Sequence, residues 1–254
     1  MISFDTALYK PETVEEAVAI FRECEDAGKE PRYYSGGSEV VTMARDGKLR
    51  TGALIDLKGL SEASGIEERS GEYRFGANVT LTELAEEGPW LLLSQASGAI
   101  GDRSVRNTIT LGGNVCGMLP YRESVLPFLL AEGTAEVAAP DGVRDRPINE
   151  IFDKRVQLQR GEFLLALRVS KAMVARKSFY RRRQKDSRVD YPLVTLAALS
   201  GEEGMGVAVA GAFSAPVRLL EAEASLRGLA ADRSAEERAA EAARSVTMKF
   251  KTDF

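Results

Sequence analysis

The chain has 254 residues, 44% hydrophobic and 28% charged, with a net charge of −4 at pH 7. That length builds one large or two modest domains without staples, and the slight acidity exerts no overall pull on nucleic acid or anionic membranes. Histidine is absent and cysteine occurs twice, at Cys24 and Cys116, which excludes His-dependent nucleophiles, most zinc sites and a four-cysteine iron–sulfur ligand set. Any redox chemistry must therefore come from an organic cofactor. No stretch approaches the ~20 apolar residues of a membrane span. The opening Met1-Ile2-Ser3-Phe4-Asp5 lacks the basic and apolar regions of a signal peptide, so the expected location is the cytoplasm.

In chain order, Pro11 and Thr13-x-x-Glu16 form a capping-box start. Val14, Ala17, Val18 and Phe21 follow at helical spacing, with Gly28 as the stop. Strands are expected at residues 32–34, 53–57 and around Tyr73 and Phe75, the last followed by Gly76-Ala77-Asn78. A second capping box, Thr80-x-x-Glu83, opens a short helix closed by Gly88-Pro89, and residues 90–99 continue as helix. Residues 122–131 carry Val125, Phe128 and Leu129 at helical spacing. Strands are expected at 134–139, after the turn Asp141-Gly142, and at 162–169. Three further strands (177–183, 193–199, 207–213) and two alanine-rich helices, one capped by Ser234-x-x-Glu237, then suggest a separate α+β unit beginning near Ser170.

Two glycine segments stand out. Thr108 to Leu111 is β-branched and apolar, reads as a strand, and runs into Gly112-Gly113-Asn114. Far upstream, Ser35-Gly36-Gly37-Ser38-Glu39 follows the short strand at 32–34. A lone Gly-Gly is a tight turn. Two such segments, each with a hydroxyl beside paired glycines, could present inward amides to one diphosphate from both sides. The basic cluster Arg181, Arg182, Arg183, Lys185 and Arg188 reads equally as a solvated face or as a phosphate or partner surface. Aromatics interleaved for base stacking are sparse, which argues against nucleic acid.

With these segments placed, the chain resembles the FAD-binding subunits of the molybdenum hydroxylases, the group of xanthine and carbon monoxide dehydrogenases. The resemblance rests on the stretch Lys10-Pro11-x-Thr13-Val14-Glu15-Glu16-Ala17, on Gly36-Gly37-Ser38-Glu39, Ile55-Asp56-Leu57 and Gly76-Ala77, and on Val105-Arg106-Asn107 through Asn114. It continues in Tyr180 to Asp190 and in Gly211-Ala212-Phe213-x-x-Pro216-Val217-Arg218. It implies an α+β protein: a two-part FAD-binding domain of the vanillyl-alcohol oxidase type (1–170, halves about 1–55 and 56–170), then a C-terminal α+β domain of the carbon monoxide dehydrogenase flavoprotein type (171–254). FAD would be non-covalent, in keeping with the missing histidine. The implied contacts are Tyr33, Tyr34, Ser35, Gly36, Gly37, Ser38, Glu39 and Val40, then Arg106, Thr110, Gly112, Gly113 and Asn114. Ile100 and Leu158 would pack on the flavin. Glu123 stands where the family has an aspartate, and Arg181 or its neighbour Arg182 where it often has a lysine. The segment Leu119 to Pro127 with Asp190-Tyr191-Pro192-Leu193 looks most like the bacterial purine-hydroxylase branch. The family chain continues past the equivalent of Asp253, whereas this sequence stops at Phe254.

The implied function is electron transfer. Electrons would pass from a molybdenum cofactor through [2Fe-2S] clusters on partner chains to FAD here, then to NAD or another acceptor, with no catalytic residue or metal ligand on this chain. The alternatives are a stand-alone FAD-dependent oxidoreductase of the same superfamily, and a flavin-free scaffold for partner subunits.

Overall fold

The structure is a computed structural model and describes residues 4–185, 191–202, 204–228 and 233–246. The expectations at Arg188, Asp190 and Asp253 lie outside the described residues.

Thr13 starts the first helix as read, its hydroxyl accepting the Glu16 amide, and the helix Val14–Asp26 buries Val14, Ala17, Val18, Phe21 and Cys24. That apolar stripe packs on a small parallel sheet in the order Ala7–Tyr9, Ala53–Asp56, Arg32–Tyr34. The middle strand is buried along its whole length, which is why it reads as an unbroken apolar run.

A five-stranded antiparallel sheet follows, ordered Ile66–Arg69, Glu72–Gly76, Phe163–Ser170, Thr134–Ala139, Gly142–Pro147. Its centre, Phe163–Ser170, shows no polar alternation because both faces are covered. Phe163 and Leu165 meet the first layer, whereas Leu164, Leu167 and Val169 enter the main core. A register shift between Leu164 and Ala166 switches the side-chain parity partway along. On the main-core face the rings of Phe75, Trp90 and Phe128 meet at 5.3–6.4 Å, carried by the sheet and by the helices Leu91–Gly98 and Val125–Leu130.

The last sheet, Ser178–Gln184, Pro192–Ser200, Met205–Ala210 and Val217–Arg218, is antiparallel. Its Ala197, Leu199, Ala208 and Ala210 join the same buried cluster as Phe128. The helix Leu220–Gly228 is tied to this sheet by buried Glu223, which accepts from the Val207 amide (2.9 Å) and from Arg218 Nε (2.8 Å). The α+β expectation holds.

One predicted strand does not form. Residues 103–106 are a helical turn, Thr110 makes only an isolated bridge to Thr80, and Leu111–Cys116 is a short helix containing both glycines. Thr110 is its N-cap, its hydroxyl accepting the Gly113 amide at 3.1 Å. The capping threonine outweighed the β-propensity of its neighbours.

Candidate functional site

A cleft of about 1140 Å³ is lined by the strand Arg32–Tyr34, by Arg182 and Pro192 of the last sheet, and by the loops around both glycine segments. Small-ligand pockets span roughly 300–1,000 Å³, so this one suits a large ligand. Phe21, Arg32, Tyr33, Leu49 and Arg160 line it, as do Tyr121, Glu123, Arg182 and Tyr191.

The first glycine segment lines it as well. Gly37, at φ +73°, is the N-cap of the helix Ser38–Arg45, and the Tyr34 ring covers its Cα so closely that no Cβ would fit. A Cβ on Gly36 would overlap the Thr108 carbonyl oxygen, so the two glycine segments touch here, backbone to backbone. The first in-chain bond of the helix is Val41 N–H to Gly37 O. Among the described residues, the amides of Gly36, Gly37, Ser38, Glu39 and Val40 have no acceptor. A helix N-terminus with free amides and a glycine entry is an anion cradle. Side chains fix its shape: Lys58 Nζ donates to Ser35 O (3.1 Å) and Asp56 Oδ1 (2.7 Å) while lying 4.3 Å from the Tyr34 ring centroid. Ser35 donates to Asn78 Oδ1 at 2.8 Å.

The second glycine segment differs from expectation. Gly112 N donates to Ala77 O, Gly113 N to Thr110 Oγ1 and Asn114 N to Thr110 O, so these amides are engaged and form no nest. Gly112 lies off the cleft and permits close packing on Ala77, whose Cβ an added Cβ would approach at 2.8 Å. Gly113 does line the cleft, and a Cβ there would meet only Thr110 Oγ1, at 3.0 Å. Gly113→Val should therefore keep the fold and fill part of the cleft. Flavin titration should show at least a tenfold loss of affinity with a melting temperature within a few degrees of the parent.

Most of the other expected residues converge. Tyr33 to Val40, Ile100, Thr110, Asn114 and Glu123 all line the cleft. Tyr33 is also wedged between Phe21 and Phe163 (4.8 and 4.6 Å) and donates its hydroxyl to Gly161 O; burial pushes its phenol upward. Glu39 uses both carboxylate oxygens to accept the Met118 amide (2.9 and 3.0 Å), strapping the first glycine segment to the loop that follows the second.

Besides Gly112, three further expected residues do not reach the cleft. Arg106 lies behind it, donating to Ile100 O and Gly101 O, and so shapes the Ile100 loop from outside. Leu158 packs on the main core instead, because Gln157 N–H bonds back to Ile151 O and turns the chain inward. Arg181 points away, since strand alternation gives Tyr180 and Arg182 the inner face and Arg181 the outer one.

Arg182 is the inward residue, and its Nε lies 3.5 Å from Glu123 Oε1. Glu123 is 2% exposed, and burial raises its carboxyl above the ordinary range against the opposing pull of Arg182. Tyr121 and Tyr191 stack at 4.6 Å and 14° beside this pair. Burial pushes the Cys116 thiol up to about 12, so it is a neutral group and no nucleophile. The sequence assigns no cofactor contact to Lys58 or Asn78, nor to Tyr121 and Arg122 within the segment Leu119 to Pro127, because their roles depend on distant partners, whereas the period of two would have selected Arg182.

A large cleft at the mouth of a glycine-entered helix, with apolar walls and a buried charge pair among them, defines a dinucleotide-cofactor protein. A family model described as the FAD binding domain in molybdopterin dehydrogenase matches residues 3–171. The chain belongs to this family, and the residues present fit the cofactor. The xanthine dehydrogenase FAD-binding subunit of Escherichia coli O157:H7 is 29% identical over 171 residues, 64% of this chain and 57% of that protein. The nicotinate dehydrogenase FAD-subunit of Eubacterium barkeri is 25% identical over 154 residues, 59% of this chain and 51% of that protein. The matches thus span a little over half of these relatives. Among solved structures, a chain of carbon monoxide dehydrogenase from Hydrogenophaga pseudoflava matches with a TM-score of 0.85 at 23% identity, covering 96% of this chain and 87% of that one. Quinoline 2-oxidoreductase from Pseudomonas putida 86 gives 0.84 at 22% identity, covering 99% and 88%. At these identities the likeness establishes the fold. No helix among the described residues is long and apolar enough to cross a membrane.

Proposed function

We propose that this chain is the FAD-bearing electron-transfer subunit of a molybdenum hydroxylase, with one FAD held non-covalently in the cleft. The observation that carries the reading is the row of free amides from Gly36 to Val40 opening into a cleft of about 1140 Å³. In this reading those amides hold the diphosphate, and Thr110, Gly113 and Asn114 form the facing wall. Ile100 supplies apolar surface to the flavin end, where Glu123 and Arg182 place a buried charge pair. Bound FAD accepts electron pairs and passes them on, a chemistry the protein steers by position and charge. No residue here is assigned a proton transfer or a nucleophilic role.

The reading divides the chain into an FAD-binding domain, 1–170, with halves meeting near residue 55, and a C-terminal domain, 171–254. With no histidine and two separate cysteines, the molybdenum cofactor and [2Fe-2S] clusters are assigned to partner chains. NAD is the proposed acceptor, and a purine the proposed substrate of the complex. The similarity to a xanthine dehydrogenase subunit supports the purine assignment.

The purified chain should be yellow, and acid precipitation should release all of its flavin. Given xanthine and an electron-accepting dye, it should show no turnover unless partner chains are added. Colour retained in the acid pellet would defeat non-covalent binding. Turnover in demonstrated absence of molybdenum and iron would replace the subunit reading with the stand-alone oxidoreductase.

A further inference from the structure

The loop joining the helix Leu111–Cys116 to the helix Val125–Leu130 holds a residue with no local reason for its conformation. Arg122 adopts φ +30°, a region that a non-glycine residue enters only under constraint. It is also only 4% exposed, although it carries a full positive charge. Its Nη2 donates to the Lys154 carbonyl, and its guanidinium carbon lies 5.4 Å from the Phe152 ring centroid. These contacts fix the group but do not neutralise it. Its Nε and Nη1 are buried and have no acceptor among the described residues. Among the described residues no carboxylate lies within ion-pair distance of it. The nearest charges are Glu39, already bonded to the Met118 amide, and Arg155, which repels it.

A buried guanidinium without a counter-anion is expensive, and folded chains retain one when a ligand supplies the anion. Arg122 lines the same cleft as the free amides of Gly36 to Val40, and Glu39 belongs to both groups. Resting on the FAD reading above, we infer that Arg122 is an anion-binding residue of this cleft, its guanidinium set against the diphosphate of FAD. Backbone amides supply partial charges at the helix N-terminus. Arg122 adds a formal cation that is buried and has no carboxylate partner among the described residues, in a donor geometry suited to phosphate oxygens. The strained backbone is then the conformation that keeps this side chain in the cleft wall.

The test compares FAD with riboflavin, which carries the same ring and no phosphate. The full-length chain, stripped of flavin, is titrated with each by fluorescence quenching at low and moderate salt. Arg122→Met should weaken FAD at least 30-fold, leave riboflavin within twofold, and flatten the salt dependence of FAD binding. Arg122→Lys should recover much of the lost affinity. Should the Met variant fail to fold, Arg122→Gln keeps a donor for the Lys154 carbonyl without the charge, and the same outcome is expected. Parallel losses for both ligands, or unchanged FAD affinity, would overturn the assignment. A parent protein that binds FAD no better than riboflavin would overturn the diphosphate reading itself, and the two failures are thereby told apart.

Discussion

Gly36→Ala should abolish FAD binding, lowering affinity at least a hundredfold, and should also lower the melting temperature. The new methyl would overlap the Thr108 carbonyl oxygen, with Thr108 C at 3.1 Å and Thr110 N at 3.3 Å beside it. All three obstacles are backbone atoms, so no side chain can swing aside. The two glycine segments must part, and the cradle of amides moves away from its facing wall. Overpacking of this kind costs about 1–3 kcal/mol, and each kcal/mol corresponds to about 2–4 °C for a chain of this size. Calorimetry and flavin titration check both effects. Normal FAD content in the variant would show that the segments do not meet as described. Gly113→Val is the informative contrast, because there the added bulk enters the cleft and leaves the backbone alone.

The second large effect is expected at Glu123. Glu123→Ala removes the buried carboxylate that faces Arg182, whose side chain is itself mostly buried. Breaking a buried pair typically costs about 3–5 kcal/mol, whereas a carboxylate acting only on a helix dipole contributes about 0.3–1 kcal/mol. Glu132→Ala is the control, because Glu132 is exposed and pairs with Arg218 at the surface. With FAD bound, loss of the Glu123 charge should also raise the flavin reduction potential, a shift absent in the control. An equal, small loss in both variants would reduce Glu123 to an ordinary helix-end carboxylate.

The pH dependence follows from the same burial. Glu123 is raised above its ordinary value of 4.5, so the folded chain holds this proton more tightly than the unfolded one. Its contribution is complete below about 4.5 and is lost as pH rises through the folded value. The stability of the parent relative to Glu123→Gln should therefore fall as pH climbs from about 4.5. A constant difference would contradict the raised value.

Local chemistry was legible from the sequence. Thr13, Thr80 and Ser234 cap their helices through hydroxyls that accept nearby amides, as their spacing foretold. The strands at Arg32–Tyr34 and Ala53–Asp56 and the first glycine segment also form where they were read. The absence of histidine bounded the chemistry before any fold was known. Tertiary structure decided the rest. Thr110 could have continued a strand or capped a helix, and its single bridge to Thr80, with the Gly113 amide on its hydroxyl, selected the cap. Gly112 and Gly113 are adjacent and identical in composition, yet one meets Ala77 and the other the cleft, because successive helical positions face different directions. Arg181 and Arg182 part in the same way across a strand. Arg122 and Lys58 gain their meaning from partners 32 and 23 residues away. A sequence encodes what a residue does to its immediate neighbours, whereas a cleft is made of residues that become neighbours only on folding.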